Sequence, residues 1–406
     1  MCDVIVVGAG PAGAATAAHL ARAGRSVLLV DKARFPRDKP CAEYASPETE
    51  PVLRRLGVWP ALETGVRRLR GMVIVSPSGQ RFRSEYLDAG RRRFSLALPR
   101  RTVDDQLLRH AISAGAELRP GLPVEAPILD GGRVVGVRAR RPDRTIEELR
   151  ARLVIGADGL RSRLARVLGG GRPPRWPHRL GLATHYRGLD GPPDWGEMYV
   201  GSAGYCGLAP SGDGLTTVAA ALSLGRADGR RRDGRALRLS VSPSLRLVRA
   251  LPEHPELLAR LARAERIEPF RGVGPLAWRV PQVAGPGFLL VGDAAGFFDP
   301  FTGEGIFRAL RGAELAAEAA LGVLDDGDWS ALLSRYRQLR RAAFADKERL
   351  ARMVQVFVSC PPLLDYALVR LERRPELAER LSAALGDFGP AATPLRPAYL
   401  ARLLRP

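Results

Sequence analysis

Gly8, Gly10 and Gly13 stand in G-x-G-x-x-G spacing within "DVIVVGAGPAGAATAAHLARAGRSVLLVDK". That pattern can cradle a pyrophosphate. Gly8 allows a tight turn, Gly10 lets backbone approach the phosphates, and Gly13 permits close packing of a helix on a strand. The helix that follows aims its N-terminus, the positive end of its dipole, at the same place. Asp31, at the end of the second strand, can accept hydrogen bonds from a ribose diol. A carboxylate there disfavours a 2′-phosphate, so these residues point to NAD or FAD and away from NADP. Pro11 and Ala12 inside the turn and Lys32 after the strand complete this candidate cofactor set.

Two later segments repeat the strand-then-turn pattern. "LVIGADGLRSRLAR" carries Asp158, and "GFLLVGDAAGFFDPFTGEGIFRALRGAELAAE" carries Gly292 and Asp293, then Pro300, Gly303, Glu304 and Gly305 before a long helix. Taken singly, each reads equally well as an ordinary strand–turn–helix with an Asp N-cap. Cys41 lies in the basic loop "RFPRDKPCAEYASPETE", ten residues beyond Asp31. Most free cysteines are small buried hydrophobes; the alternative is an acid or a contact near the cofactor. His185 and Tyr186 fall on a strand pattern and are candidate acid/base or hydrogen-bonding groups, with plain structural polarity as the competing account. His19 and His110 fall on helix patterns and read as structural. No Ser–His–Asp set, metal-ligand spacing or paired carboxylates appear.

The elements that must position these residues alternate. "GMVIVSPSGQRFRSEY" predicts a hairpin turning at Ser78-Gly79. Strand patterns punctuated by Gly and Pro follow through "LGLATHYRGL" and "GEMYVGSAGYCGLAPSGDGLTTVAAALSL", and helical spacing takes over from Trp329 onward. The charge is +20, from 63 basic and 43 acidic residues, but only Lys32, Lys39 and Lys347 are lysines. The arginines are scattered, and the densest run, from Gly225, is broken by Gly and Asp like a solvated loop, so no nucleic-acid partner is expected. Four cysteines without CxxC suggest neither a zinc site nor a disulfide framework, and a reducing, cytoplasmic location is expected. No stretch is apolar enough to span a bilayer, and with a strand pattern from residue 2 no signal segment is expected. Peripheral membrane or carrier-protein contact stays open.

In this order, the three glycine–aspartate motifs resemble those of the p-hydroxybenzoate hydroxylase and geranylgeranyl reductase superfamily of FAD-dependent oxidoreductases. The resemblance implies an α/β fold: a discontinuous Rossmann-like FAD-binding domain of glutathione-reductase-like type (1–70, 96–170, 275–330), an inserted β-sheet substrate domain (71–95, 171–274) and C-terminal helices (331–406). It implies that Asp293 binds the ribityl chain and that the loop Pro300–Gly305 lies beside the isoalloxazine ring, its amides and helix dipole near the pyrimidine. Asp158 belongs by resemblance to the pyrophosphate region and pyridine-nucleotide docking. "LPRRTVDDQLLRHA" resembles the Arg-x-x-apolar-Asp signature, with Arg100 and Asp104 as its ends. With one complete glycine fingerprint, NAD(P)H is implied as a transient reductant, with a partner protein as the alternative.

"KPCAEYASP" and "DPFTGEGI" resemble the geranylgeranyl reductase branch, which implies an active-site place for Cys41. That branch carries Tyr-x-Trp-x-Phe-Pro-Lys along its substrate sheet. Here "YCGLAPS" keeps Tyr205, a third candidate catalytic residue, and Pro210, but has Gly207, Ala209 and Ser211 for Trp, Phe and Lys. Loss of that aromatic wall makes the expected first reading an NAD(P)H-dependent flavin monooxygenase acting on a hydrophobic, aromatic or polyketide-like small molecule. The alternatives are a geranylgeranyl-reductase-like enzyme that reduces carbon–carbon double bonds, a flavin halogenase (though Trp-x-Trp-x-Ile-Pro is missing) and a non-catalytic electron-transfer flavoprotein.

Overall fold

A computed structural model describes residues 2–224, 242–327 and 329–405. The arginine-rich run predicted as a solvated loop lies outside these residues. The strand Cys2–Val7 lies in parallel register between Val27–Asp31 and Ile146–Gly156, with Glu117–Pro120 at one edge. Alternate side chains leave opposite faces of such a sheet, and both are buried here. Val4, Val6, Leu29, Leu153 and Ile155 meet the helices Pro11–Arg22, Arg100–Ser113 and Gly305–Asp326. Ile5, Val7, Leu28, Val30 and Val154 meet the other face. That face is covered by an antiparallel pair, Val124–Asp130 and Arg133–Arg140, which turns at Gly131-Gly132 with both φ positive. Ile146–Gly156 belongs to both layers: residues 146–150 pair with Arg133–Arg140 and 151–156 with Cys2–Val7. Phe288–Leu290 then joins its parallel side, 132 residues later in the chain. Such a return is how one domain is built from separated segments.

The second sheet runs Glu265–Arg266, Arg179–Arg187, Leu215–Ser223, Gly204–Pro210, Trp195–Gly201, Gly71–Val75 and Arg81–Glu85. Gly71–Val75 and Arg81–Glu85 form the hairpin read from the sequence, with Gly79 at φ +85° in its turn. One face carries Val73, Val75, Leu180, Leu182, Tyr186, Cys206, Leu208 and Val218 against the helices Pro243–Ala250 and Pro255–Arg263. The opposite face is paved with small residues: Ala183 pairs with Ala219, Ala219 with Gly207, and Gly207 with Met198. The next pair along is His185 with Thr217 on one side, and Ala221 with Tyr205 on the other.

The C-terminal helices Trp329–Val358, Pro361–Arg373, Pro375–Leu385 and Pro397–Leu404 bridge the two sheets. Tyr336 donates its hydroxyl to Leu290 O at 2.7 Å in the first sheet. Leu364, Leu368 and Leu371 pack with Met198, Val200 and Tyr205 of the second. Among the described residues no single helix is long and apolar enough to cross a membrane.

Candidate active site at the junction of the two sheets

The glycine turn has the tightness its spacing demands. A Cβ on Gly13 would stand 1.7 Å from Gly8 O, and one on Gly8, at φ +102°, would stand 2.4 Å from Ala157 O. Asp31, expected to face a ribose, is buried and holds the backbone of the turn. Its Oδ2 accepts the Ala9 N–H at 2.7 Å and its Oδ1 the Ala33 N–H at 2.7 Å. Lys32 beside it is exposed. Pro11 opens the helix, and Ala12 packs so close to Gly292 (φ +60°) that a Cβ there would be 2.7 Å away.

Cations gather over this turn. Arg100 reaches Asp104 through two bonds of 2.8 and 2.9 Å, and Arg37 reaches the same carboxylate at 3.2 Å. Asp104 is 0% exposed, so one buried carboxylate aligns two guanidinium groups. A Cβ on Gly10 would lie 3.4 Å from Arg37 Nη2, while Arg37 Nη1 is buried without a protein partner. Burial pushes the Lys39 ammonium down, opposed by the neighbouring Asp293. Burial pushes the Asp293 carboxyl up, while Lys39, Arg100 and Arg308 pull it back. On the other side of the turn Asp158 accepts the Arg163 N–H at 2.8 Å through Oδ2, and its Oδ1 is buried and unpartnered. Arg37 and Lys39 escaped the sequence reading. The only signal was the basic character of their loop.

The loop Pro300–Gly305 is held from several sides. Gly303 closes a turn onto Pro300 O at 3.0 Å, with φ +68°, and a Cβ there would stand 2.5 Å from the Tyr44 ring. Tyr44 and Tyr86 share a hydroxyl–hydroxyl bond of 2.9 Å. Just before the loop, buried Asp299 meets Arg179 at 2.6 Å, accepts from Gln355 at 2.7 Å and takes the Tyr205 hydroxyl. Burial pushes that phenol well up, and Asp299 adds to the effect. Tyr205 therefore sits as an anchor of the loop, its hydroxyl already committed. Glu304 pairs with Arg308 at 3.2 Å and with Lys347 at 3.5 Å, and Gly305 begins the long helix.

Cys41 and His185 converge through a residue that sequence reasoning missed, Glu43. The Glu43 N–H donates to Cys41 Sγ at 3.3 Å, and the Arg100 guanidinium faces the same thiol. Glu43 Oε1 accepts the Arg100 N–H at 2.7 Å; Oε2 accepts Thr217 Oγ1 at 2.9 Å and lies 3.0 Å from His185 Nε2. The other imidazole nitrogen lies 2.8 Å from Glu268 Oε1. The bond to Glu43 raises the pKa of His185 to about 9, Glu268 adding to it and burial opposing. At neutral pH the ring is an imidazolium, able to hold or give a proton but not to take one. Tyr186 turns away into the helix-backed face. Cys206 is there too, its thiol pushed up to about 12 by burial. Among the described residues no group of three or more His, Cys, Asp or Glu is arranged to hold a metal ion.

Comparison with known proteins agrees with this architecture. Residues 1–174 match the family described as FAD binding domain. Digeranylgeranylglycerophospholipid reductase 2 of Methanopyrus kandleri is 34% identical over 343 residues, 82% of this chain and 81% of its own. A menaquinone reductase of Mycolicibacterium smegmatis is 32% identical over 398 residues, 89% of this chain and 86% of its own. A geranylgeranyl bacteriochlorophyll reductase-like protein from Thermoplasma acidophilum has the same fold, with a TM-score of 0.79 at 24% identity over 99% of this chain and 98% of that one. A flavin-dependent brominase also shares it, with a TM-score of 0.80 at 23% identity over 95% and 93%. The chain belongs to the p-hydroxybenzoate hydroxylase and geranylgeranyl reductase superfamily of FAD-dependent oxidoreductases. FAD also fits the residues present. The Arg37 guanidinium stands beside Gly10 with its Nη1 buried and unpartnered, Asp158 packs against Gly8 with its Oδ1 buried and unpartnered, and Arg37, Lys39 and Arg100 bring positive charge to the turn, as a diphosphate needs.

Proposed function

We propose that this oxidoreductase is a reductase that saturates carbon–carbon double bonds in the isoprenoid chain of a lipid or quinone. This replaces the monooxygenase favoured by the sequence reading, because the sequence relatives described above are named as reductases. The observation that carries the proposal is agreement in both sequence and site. Relatives 31–34% identical over more than four-fifths of this chain are named as reductases of prenylated lipids or menaquinone. In this chain, a thiol stands at the seam between the cofactor cradle and the small-residue face of the substrate sheet.

Saturating an alkene needs a hydride at one carbon and a proton at the other. Bound FAD, once reduced by NAD(P)H or a partner protein, supplies the hydride. The chain's own residues do the rest. The half-buried Cys41 thiol is placed to give the proton and recover one from water. Arg37, Arg100 and Lys39 bind the diphosphate, and the loop Pro300–Gly305, braced by Tyr205 and Gln355 through Asp299, fixes the edge where the rings would lie. The row Ala183, Ala219 and Gly207 gives the chain a flat floor of small residues, suited to a broad prenyl-bearing molecule. The test is an anaerobic assay of chemically reduced holoenzyme with geranylgeranyl lipids and menaquinone, read by mass spectrometry. Addition of hydrogen to the prenyl chain is expected, and Cys41→Ser should slow it strongly. A product carrying oxygen or halogen, formed only in air, would sink the reading.

A further inference from the structure

We propose that Glu43 and His185 form a latch between the cofactor domain and the substrate sheet that positions the Cys41 thiol. Both are positioning residues, and neither has to touch substrate. The inference rests on the reductase reading only for what the thiol does, not for how it is held.

The backbone is the first reason. Glu43 sits at φ +55°, a left-handed conformation that a residue with a Cβ adopts only when its surroundings insist. Its N–H, fixed by that conformation, is the group that meets Cys41 Sγ. What insists is a ring of donors on a carboxylate-bearing residue that is 5% exposed. Leu98 N–H bonds Glu43 O at 2.6 Å, and Arg100 N–H holds Oε1. Thr217 and His185, paired across two strands of the other sheet, hold Oε2. One backbone N–H of the cofactor domain and side chains from two strands of the other sheet therefore converge on one carboxylate two residues from the thiol.

The imidazole is the second reason. Each ring nitrogen faces a carboxylate oxygen, Glu43 at 3.0 Å and Glu268 at 2.8 Å. Only a ring with N–H on both sides satisfies both acceptors. Glu268 is held in turn by Arg271 at 2.8 Å, which also reaches Asp38 at 3.1 Å in the loop leading to Cys41. The latch thus returns to its own loop. A structural polar pair would need none of this doubling.

The test uses the FAD-loaded enzyme and the rate of Cys41 alkylation by iodoacetamide, followed peptide by peptide, with Cys2 and Cys360 as internal references. His185→Gln and Glu43→Gln should each change the Cys41 rate several-fold and leave the reference rates alone. His185→Lys, which restores a cation opposite Glu43, should return it towards wild type. If Glu43→Gln does not fold, His185→Gln and Thr217→Val, both on the substrate sheet, carry the experiment. An unchanged Cys41 rate in folded, FAD-retaining His185→Gln overturns the latch. Turnover is read separately: with an active wild type, the variants should lower kcat more than they raise KM. A wild type that reduces no double bond would remove the function proposed for the thiol while the alkylation result still decides the latch.

Discussion

Glu43 shows what a residue's neighbours in sequence cannot say. Nothing in "KPCAEYASP" distinguishes a buried, four-way-bonded glutamate from a solvated one, because its partners Thr217 and His185 lie more than 140 residues away. Gly8 and Gly13 were legible for the opposite reason: their task is set within a local strand–turn–helix. His185 was legible as a candidate but not as an imidazolium, since its charge comes from two carboxylates of distant segments. That charge makes stability pH-dependent, with a definite sign. The groups facing the ring are Glu43 and Glu268, with Cys41 and Arg100 behind the first and Arg271 and Asp38 behind the second. The folded pKa, about 9, lies above the ordinary 6.5, so the stabilisation is fully present below about pH 6.5 and disappears as pH rises through about 9. Urea unfolding of wild type and His185→Gln should therefore show a gap that narrows across that window. A gap constant with pH would mean the ring is neutral.

At the scale of the element, unbroken apolar runs made the central strands readable, and Gly79 marked the turn of the 71–85 hairpin. The covering pair 124–140 was harder to foresee, because Ile146–Gly156 changes partners midway and no local signal announces such a change. The loop Pro300–Gly305 was read from its small residues, but its bracing was not. Gly303→Ala should be among its most damaging small changes. The methyl would need a left-handed backbone and would fall 2.5 Å from the Tyr44 ring, adding an overpacking cost of about 1–3 kcal/mol. We expect the purified variant to lose most of its yellow colour. Tyr205→Phe separates anchor from acid. It removes one bond from Asp299 and leaves Arg179, Gln355 and the Phe301 N–H in place, a loss of about 1.5–3 kcal/mol for a charged acceptor. Turnover should stay within several-fold of wild type, with a lowered Tm. Loss of turnover at unchanged Tm would make Tyr205 a proton donor instead.

At the scale of the whole molecule, the C-terminal helices were legible as helices but not as the part that ties both sheets to the cofactor loop. Composition held one clue. In a chain with 63 basic residues and three lysines, a lysine is conspicuous, and Lys347 is buried. Its ammonium donates to Ala384 O and Leu385 O at 2.6 and 2.8 Å and pairs with Asp387 at 2.9 Å and Glu304 at 3.5 Å. A compact ammonium with three donors can cap helix carbonyls and meet two carboxylates at once in so small a buried space. Burial drives the Asp387 carboxyl up to about 6, with Lys347 opposing and Glu304 reinforcing. Removing the lysine leaves two buried carboxylates facing each other beside the loop. Lys347→Met should cost about 3–5 kcal/mol, the usual penalty for stripping a buried charge of its partner. Because Glu304 caps the helix Gly305–Asp326 at the loop proposed to border the flavin, the loss should also reach the site: the variant should release FAD more readily. That release should ease as pH falls: without Lys347 to hold it down, the Asp387 carboxyl takes up a proton more readily than in wild type, and the repulsion ends. FAD release that matches wild type at every pH would show that the C-terminal helices brace the sheets without touching the chemistry.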